Sequence, residues 1–503
     1  MGGSVRAAPV APHPGFADLA DCVRARDVFA TAGYTEDGLR RMLAIEELFW
    51  TGPGTLPASL RRTRAGTPLH TLIRLFFLGV SVSLDAARRA VAPMDLEVWT
   101  AAHLLDMRAG EIVPLVKAVP YRGLLLLADM PDRIRSGGGQ SDFVLGVSKS
   151  SVLMAHTVVP RPSARTLDLG TGCGILSLLA SAHSGRVYAT DKNPRAVAFA
   201  ELNVQLNGIG NVQCLTGDLF EPVAGERFDL VVCNPPYVIA PRARYLFCDS
   251  GLRGDEFCRQ LGRLAAGALA EGGYCQIMAN WAHRADQPWD EPLADWFGDL
   301  GCDVLVWGAE TQDASSYALN WIEQTEGHHR DRLSELYEEW MEYFEREGIE
   351  AITYGLISMR RRAGANWVRY VKVPKGAPAP DGEHVLRRFQ MRDFLESAAG
   401  DAALLDGRFQ LAPDVRVEQH YAAKDEAFAA VKTRLHLARD PEFYTMEADG
   451  TVARFVLSYR GARQLREVLD EMAVSMDIPP AELIPGGLAV ARRLIENGYL
   501  LPV

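Results

Sequence analysis

Leu167-Asp168-Leu169-Gly170-Thr171-Gly172-Cys173-Gly174 follows a short apolar run and leads directly into Ile175 to Ala182, whose apolar spacing is helical. Strand, glycine turn and helix in that order make the first unit of an open α/β sheet, whose ligand crevice lies at the carboxyl ends of the strands. Gly170, Gly172 and Gly174 allow a tight turn and close approach of a ligand to the backbone, and the helix start offers free N–H groups and a positive dipole end. A dinucleotide fingerprint would need its third glycine at position 175, where Ile175 stands, and no Lys closes the loop as in a nucleoside-triphosphate site. Both ligand classes are demoted.

Outward from this unit, residues 166–310 alternate short apolar strands with helices. Strands are predicted at Thr166 to Leu169, Arg186 to Thr190, Val212 to Leu215, Phe228 to Cys233, Tyr274 to Ala279 and Asp303 to Trp307. The pattern implies a doubly wound parallel sheet. Ser334 to Glu347 reads as an acidic helix with Leu336, Trp340, Tyr343 and Phe344 on one face, inserted before a last strand at Ile352 to Met359. Asp191 closes the second strand, 23 positions after Asp168, where an acid can accept both hydroxyls of a ribose. Asp218, in Gly217-Asp218-Leu219-Phe220 after the third strand, is placed to accept from an adenine amino group. Either acid alone could equally be a helix cap. Three sites in register at three successive strand ends favour a nucleoside ligand.

The fourth strand runs into Asn234-Pro235-Pro236-Tyr237. Paired with the glycine loop at this spacing, the motif resembles class I S-adenosylmethionine-dependent methyltransferases, in particular the group that methylates amide and amine nitrogens. The resemblance covers about 170 residues, roughly a third of the chain. It implies a Rossmann-like α/β sheet with S-adenosyl-L-methionine as cofactor. By the same resemblance Asp168 and the backbone of Gly170, Thr171, Gly172 and Gly174 hold the methionine moiety, Asp191 the ribose, and Asp218 with the Leu219 N–H the adenine. Asn193 would support them, with Asn234 also at the cofactor's edge. The Asn234 side-chain oxygen and the Pro235 carbonyl would accept the substrate's N–H bonds, while Pro236 stiffens the turn and Tyr237 stacks on the planar group.

A delocalised amide or aromatic amine attacks poorly until its nitrogen is oriented and made more pyramidal. Preorganised acceptors do this, and holding nitrogen, methyl and sulfur in line is worth up to about 7–11 kcal/mol. No general base is compulsory, because the nitrogen becomes acidic after transfer.

Asp168-Leu169-Gly170-Thr171-Gly172, Asp218-Leu219-Phe220, the Asn-Pro-Pro-Tyr stretch and Asp249-Ser250-Gly251 are most similar to HemK-type protein glutamine N-methyltransferases, with nucleobase N-methyltransferases next. The flanking regions and the inserted helix depart from that compact pattern. Three functions therefore stay open: N-methylation of a protein glutamine or nucleobase, methylation of a small specialised metabolite, and cofactor sensing by a non-catalytic regulator. An intact Asn234 and Tyr237 argue against the last. An open basic cleft beside Tyr237 would indicate a macromolecule, and a closed apolar pocket lined by Trp281 or Tyr317 a small substrate.

Length and composition frame the rest. At roughly 150 residues per domain, 503 residues suggest about three domains. The expected division is 16–132, winged-helix-like; 141–375, the methyltransferase domain with a helical insertion near 311–350; and 381–503, α+β and winged-helix-like. In the first, helices are predicted at Leu69 to Leu78, Asp85 to Val91 and Leu96 to Asp106, then strands at Ile112 to Val119 and Tyr121 to Leu127. In the last, an Asp449-Gly450 hairpin turn precedes helices at Ala462 to Met476 and Pro480 to Asn497. Glycine-rich Arg133 to Ser141 and proline-rich Pro374 to Pro380 read as joints.

With 48% hydrophobic and 23% charged residues, the composition is that of a globular protein. Apolar stretches such as Leu72 to Val82 fall short of the roughly 20 residues that cross a bilayer, so no membrane association is expected. Met1 to Pro14 has no secretory core and reads as a loose tail, and eight cysteines without a Cys-x-x-Cys pair suggest a reducing, cytoplasmic setting with no metal site. His328 and His329 lie in a charged run, read as a solvated face. The net charge is -11, and only residues 1–150 are slightly basic, so bulk electrostatics does not advertise nucleic-acid binding.

Overall fold

A computed structural model describes residues 12–48, 53–131, 133, 142–285, 287–327, 330–373, 380–398, 400–424, 427–437 and 445–503. Most of the two predicted joints, the first eleven residues, and His328 and His329 lie outside these. The chain divides into two units, residues 1–155 with 161–371, and 156–160 with 372–503.

The first unit opens with α1 (Leu19–Thr31), α2 (Glu36–Leu43), α3 (Leu56–Arg62) and α4 (Pro68–Leu72), followed by a π-turn over Ile73–Phe77. Then come β1 (Val82–Ser83), α5 (Leu84–Val91), α6 (Leu96–Ala101), β2 (Leu105–Arg108) and β3 (Glu111–Pro114), with the strands in order β1-β3-β2. The predicted helix from Leu96 to Asp106 thus stops at Ala101: Ala102 closes the last turn, His103 takes a left-handed φ of 55°, and Leu105 pairs with Pro114. β4 (Val116–Tyr121) and β5 (Leu124–Asp129) form a hairpin through Arg122 and Gly123, both at positive φ.

After α7 (Lys149–Thr157), the central elements are β6 (Ser163–Leu169), α8 (Ile175–Ala180), β7 (Ser184–Asp191), α9 (Pro194–Leu206), β8 (Val212–Thr216), β9 (Phe228–Cys233), α10 (Glu256–Ala268), β10 (Leu269–His283), β11 (Cys302–Asp313), α11 (Ala314–Glu326), α12 (Leu333–Glu347), β12 (Ala351–Arg361) and β13 (Val368–Lys372). They build an eight-stranded sheet in the order β13-β11-β12-β10-β9-β6-β7-β8. The sheet is mixed rather than wholly parallel. β12 runs antiparallel to both β10 and β11, because the two inserted helices return the chain to the end of the sheet from which it left. The order reverses between β6 and β9, which puts the topological switch point at the ends of these two strands. As predicted, Leu336, Trp340, Tyr343 and Phe344 form the buried face of α12, against Tyr317 of α11 and Ile239.

The β4–β5 hairpin is joined to the sheet layer by side chains acting as a strand. Asn203 on α9 and Asn207 at its C-cap, one turn apart, pair with the edge of β5. Asn203 accepts from Leu127 N and donates to Leu127 O, both at 2.8 Å, and Asn207 does the same at Leu125, both at 2.9 Å. Beneath them the fully buried Asp129 carboxylate meets Arg195 at 2.5 Å and Arg133 at 2.6 Å and accepts from Val144 N at 2.9 Å. Removing one partner of a buried pair leaves charge uncompensated, so Asp129→Ala is expected to cost about 3–5 kcal/mol. Urea denaturation measures this, and a loss below about 1 kcal/mol would show that the cluster does not hold the hairpin.

In the second unit, α13 (Gly382–Ser397) and α14 (Asp401–Asp406) precede β14 (Arg408–Leu411), β15 (Val415–Lys424), β16 (Ala427–Leu437) and β17 (Thr445–Ala448). α15 (Gly450–Leu457), β18 (Arg463–Gln464), α16 (Leu465–Met476), α17 (Pro480–Glu496) and β19 (Leu500–Pro502) complete it. Asp449-Gly450 is a helix start rather than a hairpin turn. The Asp449 carboxylate accepts from Thr451 N and Val452 N, both at 2.8 Å, which is the geometry of an N-cap. β14 lies between β18 and β19, so each end of the chain builds a small three-stranded sheet from a strand–helix–helix–strand run plus one further strand. Among the described residues, no helix is long and apolar enough to cross a membrane.

Candidate active site at the carboxyl ends of β6 and β9

Gly170, Gly172 and Gly174 all have positive φ, at 72°, 56° and 85°. A Cβ at Gly174 would come within 2.9 Å of Leu178 and 3.3 Å of Ala200, so this glycine lets the loop pass close to α9; the space at Gly170 and Gly172 is open. The loop is tied to β7 by Gly170 N and Thr171 N, each donating to Thr190 O at 2.9 Å.

Asp168 is 1% exposed, and its Oδ2 accepts from Thr171 Oγ1 (2.6 Å), Ser177 N (2.9 Å) and Ser177 Oγ (2.6 Å). Its Oδ1 is buried and has no partner. Burial pushes the carboxyl up to about 6 despite these donors. A first-turn N–H of α8 is therefore taken by Asp168 rather than left for a ligand. Asp191 accepts from Asn193 N (2.8 Å) through Oδ1 and from Gly172 N (2.9 Å) through Oδ2, and burial raises its pKa as well. Asn193 caps α9 by accepting from Arg195 N (3.0 Å) and donates its Nδ2 hydrogen to Asp142 O (2.9 Å). Asp218 is exposed after β8, and Leu219 beside it has a positive φ of 47°. Apart from Asn234, the residues expected to hold the cofactor thus lie along the ends of β6, β7 and β8.

At the end of β9, Asn234 donates from Nδ2 to Ser150 Oγ at 3.3 Å, while its Oδ1 is buried without a donor. Pro235 is buried. The Tyr237 hydroxyl hydrogen-bonds to Ser150 and Tyr354, its ring meets Tyr354 edge-on at 5.6 Å, and burial pushes it up to about 12, so it is a neutral hydroxyl at ordinary pH. The loop beyond is fixed by Asp249, whose Oδ2 accepts from Arg244 N (2.9 Å) and Tyr245 N (3.1 Å). The arginines on this side are paired, Arg242 with Glu339 at 2.6 Å and Arg244 with Glu326 at 3.0 Å. Trp281 faces the opposite side of the sheet, packs near Trp296 and donates to Trp289 O at 2.7 Å. Tyr317 does lie on the Tyr237 side, buried.

Ser150, Ser177 and Tyr354 escaped the sequence reading. Ser150 stands in a Ser-Lys-Ser-Ser run that reads only as a helix cap, and Tyr354 in an apolar strand. Nothing local tells either one that Tyr237 will be its neighbour.

A glycine loop at the switch point, acids at the neighbouring strand ends and Asn-Pro-Pro-Tyr after β9 are the parts of a class I methyltransferase domain. Residues 146–300 match the family described as Methyltransferase small domain, and this middle segment is a class I S-adenosylmethionine-dependent methyltransferase domain. Models described as domains of unknown function, DUF7059 and DUF7782, match residues 31–115 and 387–502.

The release factor glutamine methyltransferase of Escherichia coli (strain K12) is 32% identical over 138 residues, covering 24% of this chain and 49% of that protein. The release factor glutamine methyltransferase of Bordetella pertussis is 34% identical over 144 residues, covering 28% and 53%. The ribosomal protein uL3 glutamine methyltransferase of Bradyrhizobium diazoefficiens is 36% identical over 140 residues, covering 24% and 44%. The chain spans about half the length of the curated relatives it matches.

Proposed function

We propose that the chain is an S-adenosyl-L-methionine-dependent N-methyltransferase acting on the side-chain amide of a protein glutamine. The observation that carries this reading is the unpartnered Asn234 Oδ1, a buried acceptor fixed beside Pro235 and Tyr237. The likeness to glutamine methyltransferases supports an amide over a nucleobase amine.

The cofactor side fits the residues present. Asp168 Oδ1 is a buried acceptor with no donor, suited to a cationic amine, and no atom crowds Gly170 or Gly172 on the side a Cβ would take. Asp191 and Asn193 would take the ribose, and Asp218 with Leu219 the adenine. When bound, the cofactor supplies a methyl group on a sulfonium, already activated toward transfer.

The rest falls to the chain. Asn234 and the Pro235 carbonyl accept the two amide N–H bonds, which turns the nitrogen lone pair toward the methyl. Pro236 fixes the turn, and the Tyr237 ring covers the planar amide while its own hydroxyl stays tied to Ser150 and Tyr354. No side chain need act as a base before transfer.

The 16–132, 141–375 and 381–503 division belongs to this proposal, with the two flanking parts winged-helix-like and docking the protein partner in the cytoplasm. The strand order β1-β3-β2 around α5 and α6 supports that architecture for the first.

Incubation with tritiated methyl cofactor and separate protein, RNA and metabolite fractions tests the function. Label is expected in protein, released as methylamine on acid hydrolysis. Label confined to RNA or to small molecules would replace glutamine with a nucleobase or a metabolite.

A further inference from the structure

Two asparagines around Tyr237 and Tyr354 are held alike. Asn234 gives its Nδ2 hydrogen to the Ser150 hydroxyl, and its Oδ1 is buried without a donor. Asn280, near the end of β10 and 1% exposed, gives its Nδ2 hydrogen to the Tyr317 hydroxyl at 2.8 Å, and its Oδ1 too is buried without a donor. Asn280 pairs directly with Tyr354 across β10 and β12, so the two side chains leave the same face of the sheet about 5 Å apart. Tyr354 in turn touches Tyr237 by ring and hydroxyl.

Tyr317 belongs to the inserted α11. Its hydroxyl also accepts from Ile239 N at 3.1 Å, two residues beyond Tyr237, and its ring is locked among Trp321, Trp340 and Phe344. The inserted helices therefore hold both the backbone that follows Asn-Pro-Pro-Tyr and the Asn280 amide. A buried acceptor left without a donor costs about 1–3 kcal/mol, so a ligand that brought donors to these two would be favoured by that amount at each.

We propose that Asn280, oriented by Tyr317, is a second acceptor of the substrate site and takes a main-chain N–H of the peptide whose glutamine amide is held by Asn234 and Pro235. This rests on the glutamine reading above. Asn234 and Pro235 use both N–H bonds of the primary amide, so the donor for Asn280 has to be another N–H of the same substrate. In a glutamine-containing peptide, the main chain carries it. The insertion is then part of substrate selection: it makes the site recognise an amide within a peptide rather than an amide alone. Asn280 is a specificity-determining residue and Tyr317 a positioning residue.

The test compares methyl transfer to N-acetylglutamine N-methylamide, which has main-chain N–H groups, with transfer to propionamide, which has only the amide. The full chain is expected to favour the first by about tenfold in kcat/KM, the value of one hydrogen bond. Asn280→Leu brings that ratio to about one, and Tyr317→Phe lowers it, while cofactor affinity measured by calorimetry is unchanged in both. A ratio that Asn280→Leu leaves as it was overturns the proposal. If the cofactor binds but no methylamine is released from the labelled protein fraction, the glutamine reading itself falls and takes the proposal with it, a result distinct from an unchanged ratio.

Discussion

Replacing Asn234 with alanine is expected to cut turnover on the labelled protein substrate by about 10²- to 10³-fold, the usual consequence of deleting one preorganised group that meets the transition state. Cofactor affinity, measured by calorimetry, should stay within about twofold. The separation follows from geometry. The side chain is anchored at Nδ2 by Ser150 and leaves only Oδ1 for a ligand, at the end of β9 rather than in the glycine loop. An Asn234→Ala protein that keeps a tenth or more of its turnover would remove the amide-clamp mechanism. One that loses cofactor binding would move Asn234 into the cofactor site.

Asp168→Asn should weaken cofactor binding by about 10²-fold, because it removes the charge that in the proposed site faces a cationic amine while keeping an acceptor for Thr171 and Ser177. It should not lower the melting temperature. The folded-state pKa of Asp168, about 6, lies above the ordinary 3.8. Between these values the folded chain holds the proton more tightly than the unfolded one, so this group's contribution to stability is full below about 4 and is lost as pH rises through about 6. Cofactor affinity has the opposite slope: it rises as the carboxylate forms and levels off above about 6. Calorimetric titrations and melting curves from pH 5 to pH 8 show both slopes in the wild type, and Asp168→Asn abolishes both. A destabilised variant that still binds the cofactor tightly would mean that Asp168 serves the loop and not the ligand.

The parts of the site that are legible in the sequence are those whose chemistry is local. Glycines at 170, 172 and 174 announce positive φ, Asp191 and Asp218 fall at strand ends by counting, and two prolines after Asn234 stiffen a turn wherever the chain goes. Sequence and structure part where one local signal has two solutions. Asp449-Gly450 fits both a hairpin turn and a helix cap, and it is a cap because a helix, not a strand, follows. The Leu96 to Asp106 pattern fits one helix, but pairing of Leu105 with Pro114 draws its end into a strand. Strand direction is not written in strand residues at all, so the reversal of β12 is out of reach. Trp281 is a candidate pocket wall by sequence, yet strand alternation puts it on the face opposite Asn280.

By itself the sequence determined an open α/β sheet with a glycine loop at its first strand end, acids at the next two, and a rigid Asn-Pro-Pro-Tyr turn after the fourth, because each depends on backbone rules acting within a few residues. Only the tertiary structure decided what surrounds that turn. Ser150, Tyr354, Asn280 and Tyr317 lie 43 to 117 residues away from Tyr237 in the chain. Tyr354 comes from the reversed β12 and Tyr317 from the first helix inserted before it, while Ser150 comes from α7 and Asn280 from β10, and side chains that converge by packing leave no periodicity for a sequence to display.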